Sequence, residues 1–180
     1  MERNGLIRLG GLAALVGGVA YTALGLLVPF LEPMFFVLLA IGVMVAITAL
    51  HILQRERYGS PGALASLTVI IGAVLILGSN LGLTEGLPWP LPERIFIVGA
   101  LVAALGMVAL GIATVVARVL PWWCGVALII GGFGFAGPML ALPWTGFSIA
   151  LLAGLPWAVV GYALLRARAH LTEARRPRVR

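Results

Sequence analysis

The chain has 180 residues, 62% of them hydrophobic, and its 24 glycines raise the apolar share to about three quarters, against roughly half in soluble globular proteins. Charge is confined to 12 arginines and 6 glutamates, with no lysine and no aspartate. A water-soluble globule is excluded, and the length leaves no room for a separate soluble catalytic module, so the protein acts within a bilayer or at its faces.

A helix rises about 1.5 Å per residue and needs about 20 apolar residues to cross the hydrocarbon core. Six stretches meet that requirement: Leu9 to Phe30, Met34 to Leu53, Ala63 to Leu83, Ile95 to Ala117, Trp122 to Leu142 and Gly146 to Leu165. Every charged residue falls outside them. The expected fold is therefore all-α, an integral membrane bundle of six helices over residues 1–165, followed by an Arg-rich cytoplasmic tail over 166–180. Arg3, Arg8, Arg55, Arg57, Arg118 and the six arginines from Arg166 onward then lie on one side, and only Arg94 on the other. Basic residues in short loops mark the cytoplasmic side, which puts both termini inside. The first apolar run continues ten residues past the small-residue site Gly18-Val-Ala20, longer than a signal-peptide core. It reads as a retained span in a bacterial plasma membrane.

The run Gly11 to Gly18 matches Gly125 to Gly132 at four of eight positions. Spans two, four and six each end in a Gly-led apolar run closing on Arg55, Arg118 and Arg166. Three repeated out-and-back hairpins would give that pattern. Small residues let helices approach closely in lipid, and four-residue ladders are expected at Gly10, Ala14 and Gly18, at Gly99 and Ala103, at Ala127 and Gly131, and at Ala150 and Gly154. Gly72 has Thr68 and Ile76 one turn away and belongs to no such ladder. Pro156 frees the carbonyl of Leu152 and predicts a kink near Gly154. Pro138, after Gly131, Gly132, Gly134 and Gly137, predicts local unwinding, which at membrane depth lines a cavity or is buried in protein.

His51 is the imidazole within a span, one turn from the cytoplasmic end of the second helix. Ser66 is expected at similar depth on the third, which raises an inner-leaflet Ser/His pair. No carboxylate is placed to orient the imidazole, since Glu56 lies beyond the membrane edge, and Ser148 belongs to the opposite leaflet. The depth of His51 favours a hydrogen-bonding role near the interface. On the outer face Glu32, Asn80, Glu85 and Arg94 gather with Ser79, Glu93, Trp89 and Trp144, and the Pro-rich loop from Glu85 to Arg94 is placed to cap a vestibule. The simpler expectation is that Arg94 pairs with a surface glutamate while the tryptophans anchor at headgroup level. The tail is expected to lie on anionic lipid headgroups.

Other chemistries lack their materials. A retinal Schiff base needs lysine, and proton or sodium coupling needs an embedded carboxylate. Cys124 alone cannot form an internal disulfide, two histidines cannot complete a four-ligand metal site, and no Gly-x-Ser-Gly protease motif occurs. No catalytic, cofactor or metal residues are assigned, no cofactor is expected, and nucleic-acid binding has no interleaved aromatics to support it.

The stretch from Val119 to Gly132 and that from Trp157 to Arg166, with the Arg-rich turn from Leu53 to Gly62, resembles small six-span membrane proteins of actinobacteria and related high-GC bacteria. Hairpin repetition gives a weaker likeness to HdeD-type membrane proteins. The resemblance implies an architecture and no functional residues. The expected function is a non-catalytic accessory or packing protein of the bilayer, oligomeric or partnered through its glycine ladders. The alternative is a facilitator for a small neutral or lipid-like solute through the outward vestibule, and the third is an inner-leaflet enzyme using His51. The arginine asymmetry predicts that reporters fused after Arg180 or within Arg55 to Gly62 read as cytoplasmic, and one at Glu85 as external; opposite readings at two of these sites would sink the six-span topology.

Overall fold

A computed structural model of the chain describes residues 3–27, 32–81, 91–136 and 146–174. All secondary structure among them is helical: α1 (Arg3–Leu27), α2 (Glu32–Asn80), α3 (Leu91–Ala117), α4 (Trp122–Ala136) and α5 (Gly146–Ala174). Three stretches are long and apolar enough to cross a membrane, Gly5–Ala23, Leu39–Asn80 and Glu93–Ala117, while Trp122–Ala136 and Leu151–Ala167 are shorter apolar helices.

The 49 residues of α2 would extend about 74 Å as one rod. They do not, because Gly59 takes φ 59° and ψ −150°, a left-handed conformation open to glycine and strained for other residues. Pro61 follows two residues later, where its fixed φ suits the first turn of a new helix and its missing N–H is no loss. The two arms return side by side. Ala40 and Val43 of the first line the same small void as Val69, Ala73 and Ile76 of the second. The Arg-rich inner loop expected between Leu53 and Ala63 is thus reduced to one non-helical residue, with Arg55, Glu56 and Arg57 exposed on the end of the first arm.

The helices close a ring in chain order, each packed on the next and α5 packed back on α1. Arg8, Arg55, Arg57, Arg118 and Arg166 come to one end of the bundle, because neighbouring helices run antiparallel: Gly10 meets Ala49, Gly106 meets Val69, Gly111 meets Gly125 and Gly11 meets Leu165. Arg94 sits at the other end, five residues before Gly99, which meets Leu75 and Ile76 of the second arm. Exposed apolar side chains such as Val16, Leu64, Leu105, Val116 and Phe133 cover the outside, a surface suited to lipid and far too apolar for water.

Glycines carry the seams, but at a spacing of seven more than four. Gly11 and Gly18 of α1 lie against Gly161 and Gly154 of α5; a Cβ on Gly18 would sit 2.6 Å from the Gly154 carbonyl oxygen, and one on Gly161 2.6 Å from that of Gly11. Gly125 and Gly132 of α4 lie likewise against Gly111 and Ala104 of α3, and Gly99 and Gly106 of α3 against the second arm of α2. Seven residues return to within about 20° of the same direction, so both glycines face one partner. Eight residues drift by about 80°, and the expected ladder divides accordingly: Gly10 faces Ala49 of α2 while Gly18 faces Ala158 of α5. Gly72, expected to belong to no small-residue ladder, is in one of the tightest seams, where a Cβ would meet the Ala103 backbone.

The glycine cluster of α4 does not unwind at its start, since residues 131–136 are helical; Pro138 and Gly137 lie outside the described residues. Gly131 instead receives the ring of Pro156, and Gly134 the freed carbonyl of Leu152, 2.8 Å from where a Cβ would stand. α5 runs through Pro156 as a single helix.

Gly18→Leu and Gly72→Leu are expected to destabilise the protein in detergent by about 1–3 kcal/mol each, whereas Gly17→Leu, with nothing within 4 Å of its Cβ position, should stay within about 0.5 kcal/mol. Thermal melts of the three variants check this, and a Gly72→Leu protein melting with wild type would dissolve the α2–α3 seam.

Candidate functional site

His51 and Tyr58 are seven residues apart on the first arm of α2, and Gln54 falls between them, so all three share one helix face. The turn at Gly59 brings that face against the start of the second arm. Gly62 is where the Tyr58 ring lies, leaving no room for a Cβ. Across this turn the Tyr58 hydroxyl is 2.8 Å from Nδ1 of His51 and 3.2 Å from Oγ of Ser66, while Ser66 donates to the Gly62 carbonyl at 2.9 Å. The imidazole meets the phenol ring edge-on, with centroids 5.8 Å apart.

Two proton orders fit these distances. With the Ser66 proton on the Gly62 carbonyl, Ser66 accepts from Tyr58 and His51 donates from Nδ1; with the other imidazole tautomer, Ser66 donates to Tyr58 and Tyr58 to Nδ1. In either order Tyr58 stands between Ser66 and the imidazole, whereas nucleophile activation sets the serine directly against its base. The arrangement ties the two arms of α2 to each other.

Sequence reasoning missed Tyr58 and Gln54. Their polar spacing with His51 at i, i+3 and i+7 was the available signal. Gln54 is fully buried, as is Thr114 of α3, and neither side chain has a hydrogen-bond partner among the described residues; the same holds for the indole N–H of the buried Trp157. Hydroxyls facing elsewhere are satisfied within their own helices: Thr22 donates to Gly18, Thr48 to Met44 and Thr68 to Leu64, each at 2.8–2.9 Å.

The outer group does not assemble among the described residues. Asn80 donates to the Ile76 carbonyl at 2.8 Å and Ser79 to the same oxygen at 2.9 Å, so both close the end of α2. Glu93 and Arg94 are exposed on the first turn of α3. Glu85, Trp89 and Trp144 lie outside the described residues, as do the side chains of Glu32 and Ser148. No group of three or more His, Cys, Asp or Glu able to hold a metal occurs among the described residues, and Cys124 is a buried free thiol. The central void, lined by Val43, Val69, Met107 and Phe135 among others, measures about 10 Å³, which is room for one water.

Compared with protein-family models, with curated proteins and with solved structures, the chain matches none.

Tyr58→Phe removes the middle of this hydrogen-bond chain and leaves buried Ser66 without its Tyr58 partner; a loss of about 1–3 kcal/mol in unfolding free energy is expected. His51→Gln, which retains a donor and an acceptor, should lose less than His51→Leu. Equal stability of Gln and Leu variants in chemical denaturation would show that the imidazole hydrogen bond contributes nothing to the turn.

Proposed function

We propose that the chain is a six-pass integral protein of a bacterial plasma membrane, with both termini and the Gly59 turn at the cytoplasmic face, and that it serves as a non-catalytic accessory or packing protein. The two arms of α2 count as two passes in this reading, and α1, α3, α4 and α5 as one each. Three hairpin repeats would account for the likeness of Gly11–Gly18 to Gly125–Gly132, which both use two glycines seven apart against a neighbouring helix. The likeness to small actinobacterial membrane proteins fits the same architecture.

The observation that carries the functional reading is where the polar groups are committed. Ser66 and His51, the candidate nucleophile and base, brace the α2 turn; of the vestibule candidates, Asn80 closes the end of its helix and Arg94 is exposed. The interior void is apolar and of single-water size. A rigid apolar ring with glycine seams offers shape to a membrane partner or a second copy, and an Arg-rich face to the lipid and to acidic surfaces.

One observation favours the facilitator reading instead. Gln54, Thr114 and Trp157 direct unpartnered polar atoms into buried positions, as a route for a small neutral polar solute would require. Swelling of proteoliposomes against glycerol, urea and a short polyol panel separates the two. The accessory reading expects rates equal to protein-free liposomes; solute entry that is faster with protein and reduced by Gln54→Leu would overturn it.

A further inference from the structure

The arginine-bearing end of the bundle holds a cleft of about 310 Å³ between the α3–α4 turn and the far turns of α5. Leu120 and Pro121 of the turn, Trp123 of α4, and Ala163 and Ala167 of α5 form its apolar walls, and Arg166 is the one charged residue lining it among the described residues. Leu120 and Ala163 are buried, Trp123 and Ala167 half-buried and Arg166 exposed, so the floor is apolar and the rim cationic. Among the described residues no carboxylate lines the cleft to neutralise Arg166. Immediately before the turn, Arg118 stands in the left-handed region at φ 52°, the position after a helix that glycine ordinarily takes. Arg118 adjoins Val119 of the lining in sequence and does not itself line the cleft.

An occupant must match both halves. Free phosphate would use the guanidinium and waste the apolar floor; an acyl chain alone would leave the guanidinium unanswered. An amphiphile with a phosphate at the junction of its polar and apolar parts uses both, since arginine binds phosphate oxygens through paired N–H donors and tryptophan settles at headgroup depth. The volume lies at the lower end of ligand sites, which suits a headgroup and the first methylenes, with the chains continuing into the bilayer over the exposed apolar faces of the helices. We propose that this cleft is a binding site for one anionic phospholipid of the cytoplasmic leaflet, its phosphate held by Arg166. The site differs from loose adsorption of the tail on anionic lipid, which needs no cleft. It rests on the six-pass reading, which places this end at the cytoplasmic leaflet.

The test uses the full chain, purified in a mild detergent, equilibrated with equimolar phosphatidylglycerol and phosphatidylcholine and read by native mass spectrometry. Retention of one phosphatidylglycerol in preference to phosphatidylcholine is expected. Arg166→Gln should reduce that retention about fivefold, the effect of one basic residue on an anionic headgroup. Ala167→Trp, which fills the cleft from a half-buried position and leaves every arginine in place, should reduce it at least as much, while Arg176→Gln in the tail should leave it unchanged. Wild-type retention by either cleft variant overturns the proposal, as does an equal loss from Arg176→Gln, equal retention of phosphatidylcholine, or displacement by glycerol 3-phosphate at the lipid's own concentration, which would make a soluble phosphate the ligand. The reporter fusions judge the topology separately: correct fusions with failed retention remove the lipid site alone, and a tail reporter reading external removes the six-pass reading.

Discussion

Lipid tails are as apolar as leucine, so no helix gains by leaving them for another helix unless the two backbones come close enough to outdo lipid in dispersion contact. That constraint governs the whole bundle. Where α1 meets α5, the glycine carbonyls of each helix stand where the Cβ atoms of the other would be; the same holds where α3 meets α4. At such separation Cα–H groups and carbonyls come into weak hydrogen-bonding range. The ring closes because α5 presents glycines seven apart to α1 with the same spacing that α1 presents to it, an antiparallel match that a four-residue ladder would lose within two turns.

The same solvent dictates how polar groups are handled. Without water, a hydroxyl must find a partner in the protein, and most find the carbonyl one turn back on their own helix. Pro156 creates an opposite problem by leaving the Leu152 carbonyl without its helical donor. The answer is steric: α4 offers Gly134 at that level and Gly131 against the proline ring, so the irregularity in one helix is fitted into the smooth side of the next. A glycine cluster that suggests a pliable segment in the sequence is a packing groove in the fold.

At the α2 turn, backbone conformation and polar chemistry depend on each other. Gly59 lets the chain reverse within one residue, and reversal this tight brings Ser66 within reach of Tyr58 and, through it, His51. The phenol ring occupies the space left by Gly62. A serine and a histidine at one depth resemble the parts of a catalytic pair, but Tyr58 stands between them and makes them a brace between two arms. Gln54 and Thr114, fully buried without partners among the described residues, are the groups whose role the packing leaves least accounted for.

The sequence by itself determined the solvent, the helical class and the sorting of charge, because hydropathy and arginine placement are local, additive properties that a twenty-residue window contains. It also placed an Arg-rich turn between Leu53 and Gly62, though not the reversal at the single residue Gly59. Which glycine faces which helix was decided only by the tertiary structure. Gly72 and Gly17 look alike in sequence, yet one is against Ala103 and the other against nothing, because facing depends on where neighbours stand around the ring. Tyr58 likewise had no local mark of its role: an aromatic near an interface is ordinary, and it became the link between His51 and Ser66 only when the chain reversed at Gly59 and set eight residues of separation to a hydrogen bond.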